Sequence, residues 1–231
     1  MRINKYISQS GLASRRKSEL YVKEKRVTVN GLIVDDLSYK VKNNDVVKVD
    51  EMVINPVKKF SYYVLNKPKG VICSSKDELG RKNAVDLIKT NSRIFSIGRL
   101  DKDSSGILIL TDDGNFAQSL LHPKYGYKRK YYIETPENLD DKQLKKIKSG
   151  VFLERGVKIS ADIKRLNPLK GIYRWKMVLN EGKNREIRRI FLRFNVKVNK
   201  LHRYQFAGIE LDGIKPGEYR VLKKEEMKFL T

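Results

Sequence analysis

The sequence predicts an α+β protein in two parts: a small N-terminal unit and a larger unit built on a sheet. Three observations predict it. Short runs of alternating apolar residues recur along the chain, too many for an all-helical protein. Only a few stretches carry helical spacing, and strands arrive in clusters rather than in a strand–helix repeat, which argues against a parallel βαβ sheet. A run with Pro56 and two lysines separates the parts, giving residues 1–58 and 61–231.

In the first part, Ile3, Tyr6 and Ile7 share one face of a short helix that Gly11 closes. Ser14 is placed to cap a second helix from Arg15 to about Lys25. In VTVNGLIVDD (27–36), apolar positions alternate on both sides of Asn30-Gly31, a strong short-range hairpin signal. VVKVD (46–50) reads as another strand, and MVINPVKKF (52–60) as linker. In the second part YYVLN (62–66), GVICS (70–74), RIFSI (93–97) and GILIL (106–110) read as strands between Gly, Pro, Asn and Asp turns. NFAQSLL (115–121) and DDKQLKKIK (140–148) read as helices. RKYYIET (129–135), VKISADIKRL (157–166) and YRWKMVL (173–179) read as strands, and a helix is expected near 184–194. EYRVL (218–222) is a final strand leading into KKEEMKFL (223–230).

Composition narrows the partners. Among 231 residues, 50 Lys and Arg oppose 27 Asp and Glu, a formal charge of +23. Such an excess resists compaction unless an anion screens it, and nucleic acid is the commonest large anionic partner. No apolar run is long enough to span a bilayer. Hydrophobic residues make up 40%, enough for a core and too many for a disordered chain. Cys73 is the single cysteine, so no intrachain disulfide forms, and the N-terminus does not read as a signal peptide; both suit the reducing cytoplasm. His122 and His202 have no metal-ligand spacing, and a dinucleotide-binding fingerprint is absent, so neither metal nor cofactor is expected. His122, before Pro123, reads as a helix-end residue.

Arg15, Arg16 and Lys17 open the second helix. Cations at a helix N-terminus are unfavourable by about 0.3–1 kcal/mol each. A phosphate would turn that cost into a grip by helix end and side chains together; solvated side chains are the plain alternative. The run RINKYISQSGLASRRKSELYVKEKRVTVNG (2–31) resembles the S-four-like (αL) RNA-binding domain. The resemblance implies that Arg2, Arg15, Arg16, Lys17 and Arg26 line an RNA-binding face. The domain also occurs in proteins that catalyse nothing, so it implies a partner but no reaction.

A second motif carries chemistry. In GRLDKDSSGILILTDDG (98–114), Asp101 sits in a polar turn leading into an apolar strand, a rigid base for a reactive group. Arg99, two residues earlier, would favour the ionised carboxylate. The plain alternative for an aspartate here is a turn cap, which suits Asp103, Asp112 and Asp113 better. The stretch resembles the signature of the Rsu-type ribosomal RNA pseudouridine synthases, in which the first aspartate is catalytic; here that is Asp101. Ser104 and Ile107 stand where Thr and Leu are usual.

The resemblance runs on through LNKPKGVICS (65–74), LHPKYGYKRKYYIE (121–134) and EGKNREIRRIF (181–191). It implies a mixed, mainly antiparallel sheet with flanking helices. It assigns the active-site tyrosine to Tyr131, with Tyr132 adjacent to it in the chain. On the predicted helix, Ile187, Ile190, Phe191 and Phe194 form an apolar stripe, Arg185 and Arg189 point away from it, and Arg188 and Arg193 fall on its borders. Periodicity does not choose between the border arginines; the family pattern assigns Arg188 to pair with the aspartate. Lys183, Arg185 and Arg189 are then expected to meet RNA.

The implied activity is isomerisation of a uridine in ribosomal RNA, with large-subunit rRNA favoured over small-subunit rRNA, by a cytoplasmic monomer. The uridine must leave its stack, which asks for an aromatic platform and a closed pocket. Tyr131 would be the platform and help remove the carbon-5 proton. Asp101 would attack the anomeric carbon or the uracil ring, or assist a glycal route. The rivals are a non-catalytic RNA-binding or ribosome-assembly protein of the same fold, and a nucleoside hydrolase, which would ask for paired carboxylates or a metal-binding cluster.

Overall fold

The structure, a computed structural model, describes residues 1–74, 77, 79–153 and 156–230. By its contacts the chain divides into two units. The first is Met1–Ser61 with Thr90–Ile94 and Asp112–Gly114; the second is Tyr62–Lys89, Phe95–Thr111 and Asn115–Thr231.

In the first unit, helices α1 (Ile3–Gln9) and α2 (Arg15–Lys23) precede four short strands: β1 (Val27–Val29), β2 (Leu32–Ile33), β3 (Val47–Val49) and β4 (Met52–Val53). The strands form an antiparallel sheet in the order β2-β1-β3-β4. Asn30 and Gly31, at φ 52 and 83, make the tight β1–β2 turn. Gly11, at φ 85, follows α1, and the Ser14 side chain caps α2 by accepting the Lys17 backbone N–H at 3.2 Å. Ile3, Ile7, Val22, Val27, Val29, Val47 and Val49 make the core, the strand valines alternating inward as their period of two requires.

Two boundaries differ from expectation. Helix α2 stops at Lys23, ahead of Lys25 in the left-handed conformation at φ 57. The segment read as linker begins as strand β4, because Asp50 and Glu51, at φ 49 and 64, make a hairpin turn without a glycine. Ile54 is buried behind it.

The second unit holds β5 (Tyr62–Lys67), β6 (Phe95–Ser96), β7 (Ser105–Thr111), α3 (Gly114–Leu121), β8 (Arg129–Thr135), α4 (Asp141–Ser149), β9 (Val151–Phe152), β10 (Lys158–Ile159), β11 (Asp162–Leu169), β12 (Ile172–Leu179), α5 (Glu186–Leu192), β13 (Lys200–Phe206), β14 (Ile209–Glu210), β15 (Tyr219–Val221) and α6 (Lys224–Lys228). Its main sheet runs β11-β12-β8-β13-β7-β5-β15, with β14 on β13 and β6 on β7. The β13–β7 pair is parallel and the other pairs are antiparallel, so the sheet is mixed and mainly antiparallel as the resemblance implied. The parallel pair is tight. Gly106, at φ 109, faces the Arg203 backbone so closely that an added Cβ would lie 2.2 Å from the Arg203 carbonyl oxygen.

Two cores flank the sheet. Trp175, Ile133 and Met177 pack with Ile147 of α4 and Ile187, Ile190 and Phe191 of α5. Trp175 Nε1 donates to Thr135 Oγ1 at 2.9 Å, so the buried indole keeps its hydrogen bond. Phe116, Ala117 and Leu120 of α3 pack on Val64, Ile107, Ile109 and Phe206.

Several predicted strands shrink. GVICS is a loop buried at Val71 and Ile72: Gly70 turns the chain, and Ile72 makes one isolated bridge to Asn83. RIFSI pairs only through Phe95 and Ser96. VKISADIKRL splits at Ser160 and Ala161, its start pairing with β9 and its remainder joining the main sheet as β11. Pro168 lies at a register shift on that edge strand, where a missing N–H costs little. The helix expected over 184–194 spans only Glu186–Leu192, because Arg185 at φ 48 and Asn195 at φ 56 are left-handed and end it. Among the described residues, no helix is long and apolar enough to cross a membrane.

Candidate active site

Strand alternation and two turns build one cavity of about 390 Å³ in the second unit. The β6–β7 connection delivers Asp101: Gly98 takes a left-handed conformation at φ 71, and the Ser104 backbone N–H donates to the Asp101 carbonyl at 3.0 Å, closing the turn before β7. Strand β8 delivers Arg129 and Tyr131 on one face, since residues two apart share a side. Strand β13 adds Leu201 and Arg203, and the turn into α5 adds Lys183, Arg185 and Glu186. The volume falls in the usual small-molecule range of about 300–1,000 Å³.

Tyr131 is buried and lines the cavity. Tyr132 faces the other side of the sheet, where its ring lies 4.3 Å from that of Tyr204 with the Lys176 ammonium over both. Pleating thus separates two tyrosines that are adjacent in the chain.

The Asp101 side chain is 30% exposed, and two guanidiniums approach it. Arg185 Nη1 lies 3.5 Å from Oδ2 and Arg188 Nε lies 4.0 Å from it. Both distances exceed a hydrogen bond of about 2.7–3.2 Å, so Arg188 stands beside Asp101 as an ion pair at long range and not as a hydrogen-bond donor to it. Arg188 is nonetheless the fixed partner. It is 15% exposed, donates from Nη1 to the Val198 carbonyl at 2.7 Å, and reaches the Asp103 carbonyl from Nη2 at 3.2 Å. Burial and then Arg185 push the Arg188 pKa down, while Asp101 and Asp103 act the other way. Arg185 is about half exposed, so solvent screens its pairing with Asp101. The helical wheel placed Arg185 on the face away from the apolar stripe and gave the carboxylate to a border arginine. Arg185 is the left-handed residue before the helix rather than part of it, so the wheel does not set its direction.

The other expected residues are scattered. Arg99 lines the cavity rim but is exposed, with no ion pair to Asp101 among the described residues. Lys183 pairs with Glu181 at 3.1 Å. Arg189 is half-buried on α5, and Arg193 is exposed at its C-cap. Arg2, Arg15, Arg16 and Lys17 are exposed in the first unit. Arg26 is already engaged: Asp50 and Glu24 hold its guanidinium, which packs over the Tyr21 ring at 4.3 Å.

Sequence reasoning did not single out four buried polar side chains. Lys67, fully buried, donates to the Pro68 and Val71 carbonyls at 3.0 and 2.7 Å and so clamps the turn of its N-K-P-K-G run. Burial lowers its pKa, against the pull of Cys73, Asp101 and Asp103. Arg129 donates to the Tyr127 and Asn180 carbonyls, and Arg203 to the Ile107 carbonyl; both guanidiniums pack over Phe206. Glu186 is buried, and desolvation pushes its carboxyl up to about 7. The available signal was the pleat: Arg129 and Tyr131 share parity on β8, as Leu201 and Arg203 do on β13.

Among the described residues, six side-chain polar atoms are buried without a hydrogen-bond partner: Asn4 Oδ1, Ser104 Oγ, Glu186 Oε2, Arg188 Nε, Arg203 Nη2 and Arg220 Nε. Each such atom costs about 1–3 kcal/mol. Three of the six, those of Ser104, Glu186 and Arg203, belong to cavity-lining residues, so the wall is set for a polar guest. No group of three His, Cys, Asp or Glu among the described residues is arranged to hold a metal ion.

Comparisons with known proteins agree with this architecture. The RNA pseudouridylate synthase family model matches residues 61–193, and the S4 domain model matches residues 1–47. The chain is 38% identical over 235 residues to ribosomal large subunit pseudouridine synthase B of Bacillus subtilis, covering 99% of this chain and 95% of that protein. It is 33% identical to the dual-specificity RNA pseudouridine synthase RluF of Escherichia coli K12, covering 98% and 77%. A pseudouridylate synthase crystal structure aligns over 100% of both chains at 24% identity with a TM-score of 0.71, which shows the fold.

Proposed function

The chain belongs to the RNA pseudouridylate synthase family, and from that premise we propose that it isomerises one uridine of ribosomal RNA, in the large subunit, to pseudouridine. The reading is carried by one observation: Asp101 and Tyr131 line a single cavity with Arg188 anchored beside the carboxylate. The names of full-length relatives support the RNA class.

The reaction breaks the bond from ribose C1′ to uracil N1 and makes one from C1′ to C5. The C5 proton leaves, N1 gains a proton, and nothing is added overall. Asp101 is the carboxylate that meets the everted nucleoside, and Arg188 orients it. Tyr131 is the platform on which the freed ring stacks and turns, and it assists loss of the C5 proton. In the first unit Arg2, Arg15, Arg16 and Lys17 grip the phosphate backbone, while Arg26 is held by Asp50 and Glu24; in the second unit Lys183, Arg185 and Arg189 meet RNA near the cavity, with Arg99 at its rim. The protein acts as a monomer in the cytoplasm, on free rRNA or an assembling subunit. The cavity with its carboxylate disfavours a purely RNA-binding role.

Mapping pseudouridine in rRNA from cells lacking the protein tests the reading. One large-subunit pseudouridine is expected to disappear. The wild-type gene should restore it, and Asp101→Asn should not, although that variant still binds rRNA. Restoration by Asp101→Asn removes Asp101 from the reaction, and an unchanged map removes rRNA as the substrate.

A further inference from the structure

Glu186 is 5% exposed and lines the cavity that holds Asp101 and Tyr131, yet its Oε2 has no partner among the described residues. The Lys183 backbone N–H serves the carboxyl, leaving one oxygen over. Arg129 and Lys183 favour its ionised form, but by less than burial opposes it, and their side-chain hydrogen bonds and ion pair go elsewhere. Arg129 on β8 gives its Nη1 to the Tyr127 and Asn180 carbonyls. Lys183 and Glu181, in the turn before α5, pair with each other. Across the cavity, Arg185 lies nearest Asp101, and Arg203 on β13 donates to the Ile107 carbonyl. No ion pair to Glu186 exists among the described residues. A desolvated carboxyl without a counter-ion favours its neutral form, and burial pushes this one up to about 7. A neutral carboxyl has an O–H to donate.

Uracil supplies the matching acceptor. When the bond from C1′ to N1 breaks heterolytically, the electron pair stays with the ring and its charge spreads onto the carbonyl oxygens. A neutral O–H donor becomes stronger toward such an oxygen, whereas a carboxylate would repel it. We propose that Glu186 is a base-anchoring residue: as the neutral acid, it donates a hydrogen bond from Oε2 to a carbonyl oxygen of the everted uracil and holds the ring while C5 turns toward C1′. No proton is transferred in this contact. The proposal rests on the pseudouridine synthase reading and adds to it the group that recognises the base.

The test uses the full chain and deproteinised rRNA from cells lacking the protein, with pseudouridine formation followed from pH 5.5 to 9. The wild-type rate should fall as pH rises through about 7, when Glu186 ionises and loses its donor. Glu186→Gln keeps an N–H donor at every pH, so its profile should lack that fall. Glu186→Ala should lower kcat by about a hundredfold, the usual loss for one donor to a developing oxyanion. A second readout needs no substrate. Because the folded carboxyl titrates near 7 rather than near 4.5, its protonation favours the folded state; that contribution is complete below about pH 4.5 and is lost as pH rises through about 7. Wild-type Tm should therefore drop more between pH 5 and 8 than that of Glu186→Gln. The same alkaline fall in Glu186→Gln overturns the anchoring role while leaving the synthase reading intact. Absence of product from the wild-type protein overturns both.

Discussion

The chain opens two helices on basic clusters, and the two clusters live in different surroundings. At the start of α2, Arg15, Arg16 and Lys17 are exposed, and Ser14 alone caps the helix through the Lys17 N–H. Around α5, Arg188 is largely buried, Arg185 leans toward Asp101, and Glu186 lies in the cavity wall. In sequence, SRRKSE and NREIRR look alike. The difference teaches that a run of cations has no fixed meaning: at α2 it faces water, which screens it, and beside a half-buried carboxylate it is part of a fixed electrostatic frame.

The sharpest way to break the contrast is Arg188→Met. It strips the donors from the Val198 and Asp103 carbonyls and the fixed cation from Asp101. Pseudouridine formation should vanish, and with two hydrogen bonds from a charged group worth about 1.5–3 kcal/mol each, urea unfolding should show a loss of about 3–6 kcal/mol. Unaltered stability would make Arg188 a surface cation like those of α2. Next in size is the pair Arg15→Ala and Arg16→Ala. Stability should hold, while rRNA affinity falls and the slope of log affinity against log salt flattens by about 0.7 for each phosphate no longer neutralised. An unchanged slope would move the phosphate grip elsewhere. The smallest change is Ser14→Ala, which removes the α2 cap and should cost about 0.5–2 kcal/mol in thermal unfolding of the first unit. No measurable loss would show that packing of Ala13, Tyr21 and Val22 holds the helix without its cap.

Much of the architecture was legible because it depends on local periodicity. The Asn30-Gly31 hairpin, the Ser14 cap and the alternation along β8 and β12 each follow from residues a few positions apart. Failures fell where long-range packing overrode local pattern. GVICS buries Val71 and Ile72 from a loop, the Val71 carbonyl held by Lys67, and does not pair as a strand. The 52–60 segment, read as linker from Pro56 and its two lysines, hid a two-residue strand that pairs through a turn at Asp50 and Glu51. Asp112, read as a turn cap, accepts the Ser61 backbone N–H at 2.7 Å, a partner that is distant in the chain.

By itself the sequence determined the class of fold, the cationic character, and which segments carry the motif residues, since these are properties of composition and spacing. The tertiary structure alone decided what meets in the cavity: that Tyr131 faces it while Tyr132 faces the other side, that Arg185 swings to Asp101 from a left-handed turn, and that Gly106 lets the Arg203 backbone come close enough to pair. The physical reason is that burial and electrostatic partnership depend on distance through space. Glu186 is an ordinary glutamate until β8, β13 and the turn into α5 close around it and remove its water.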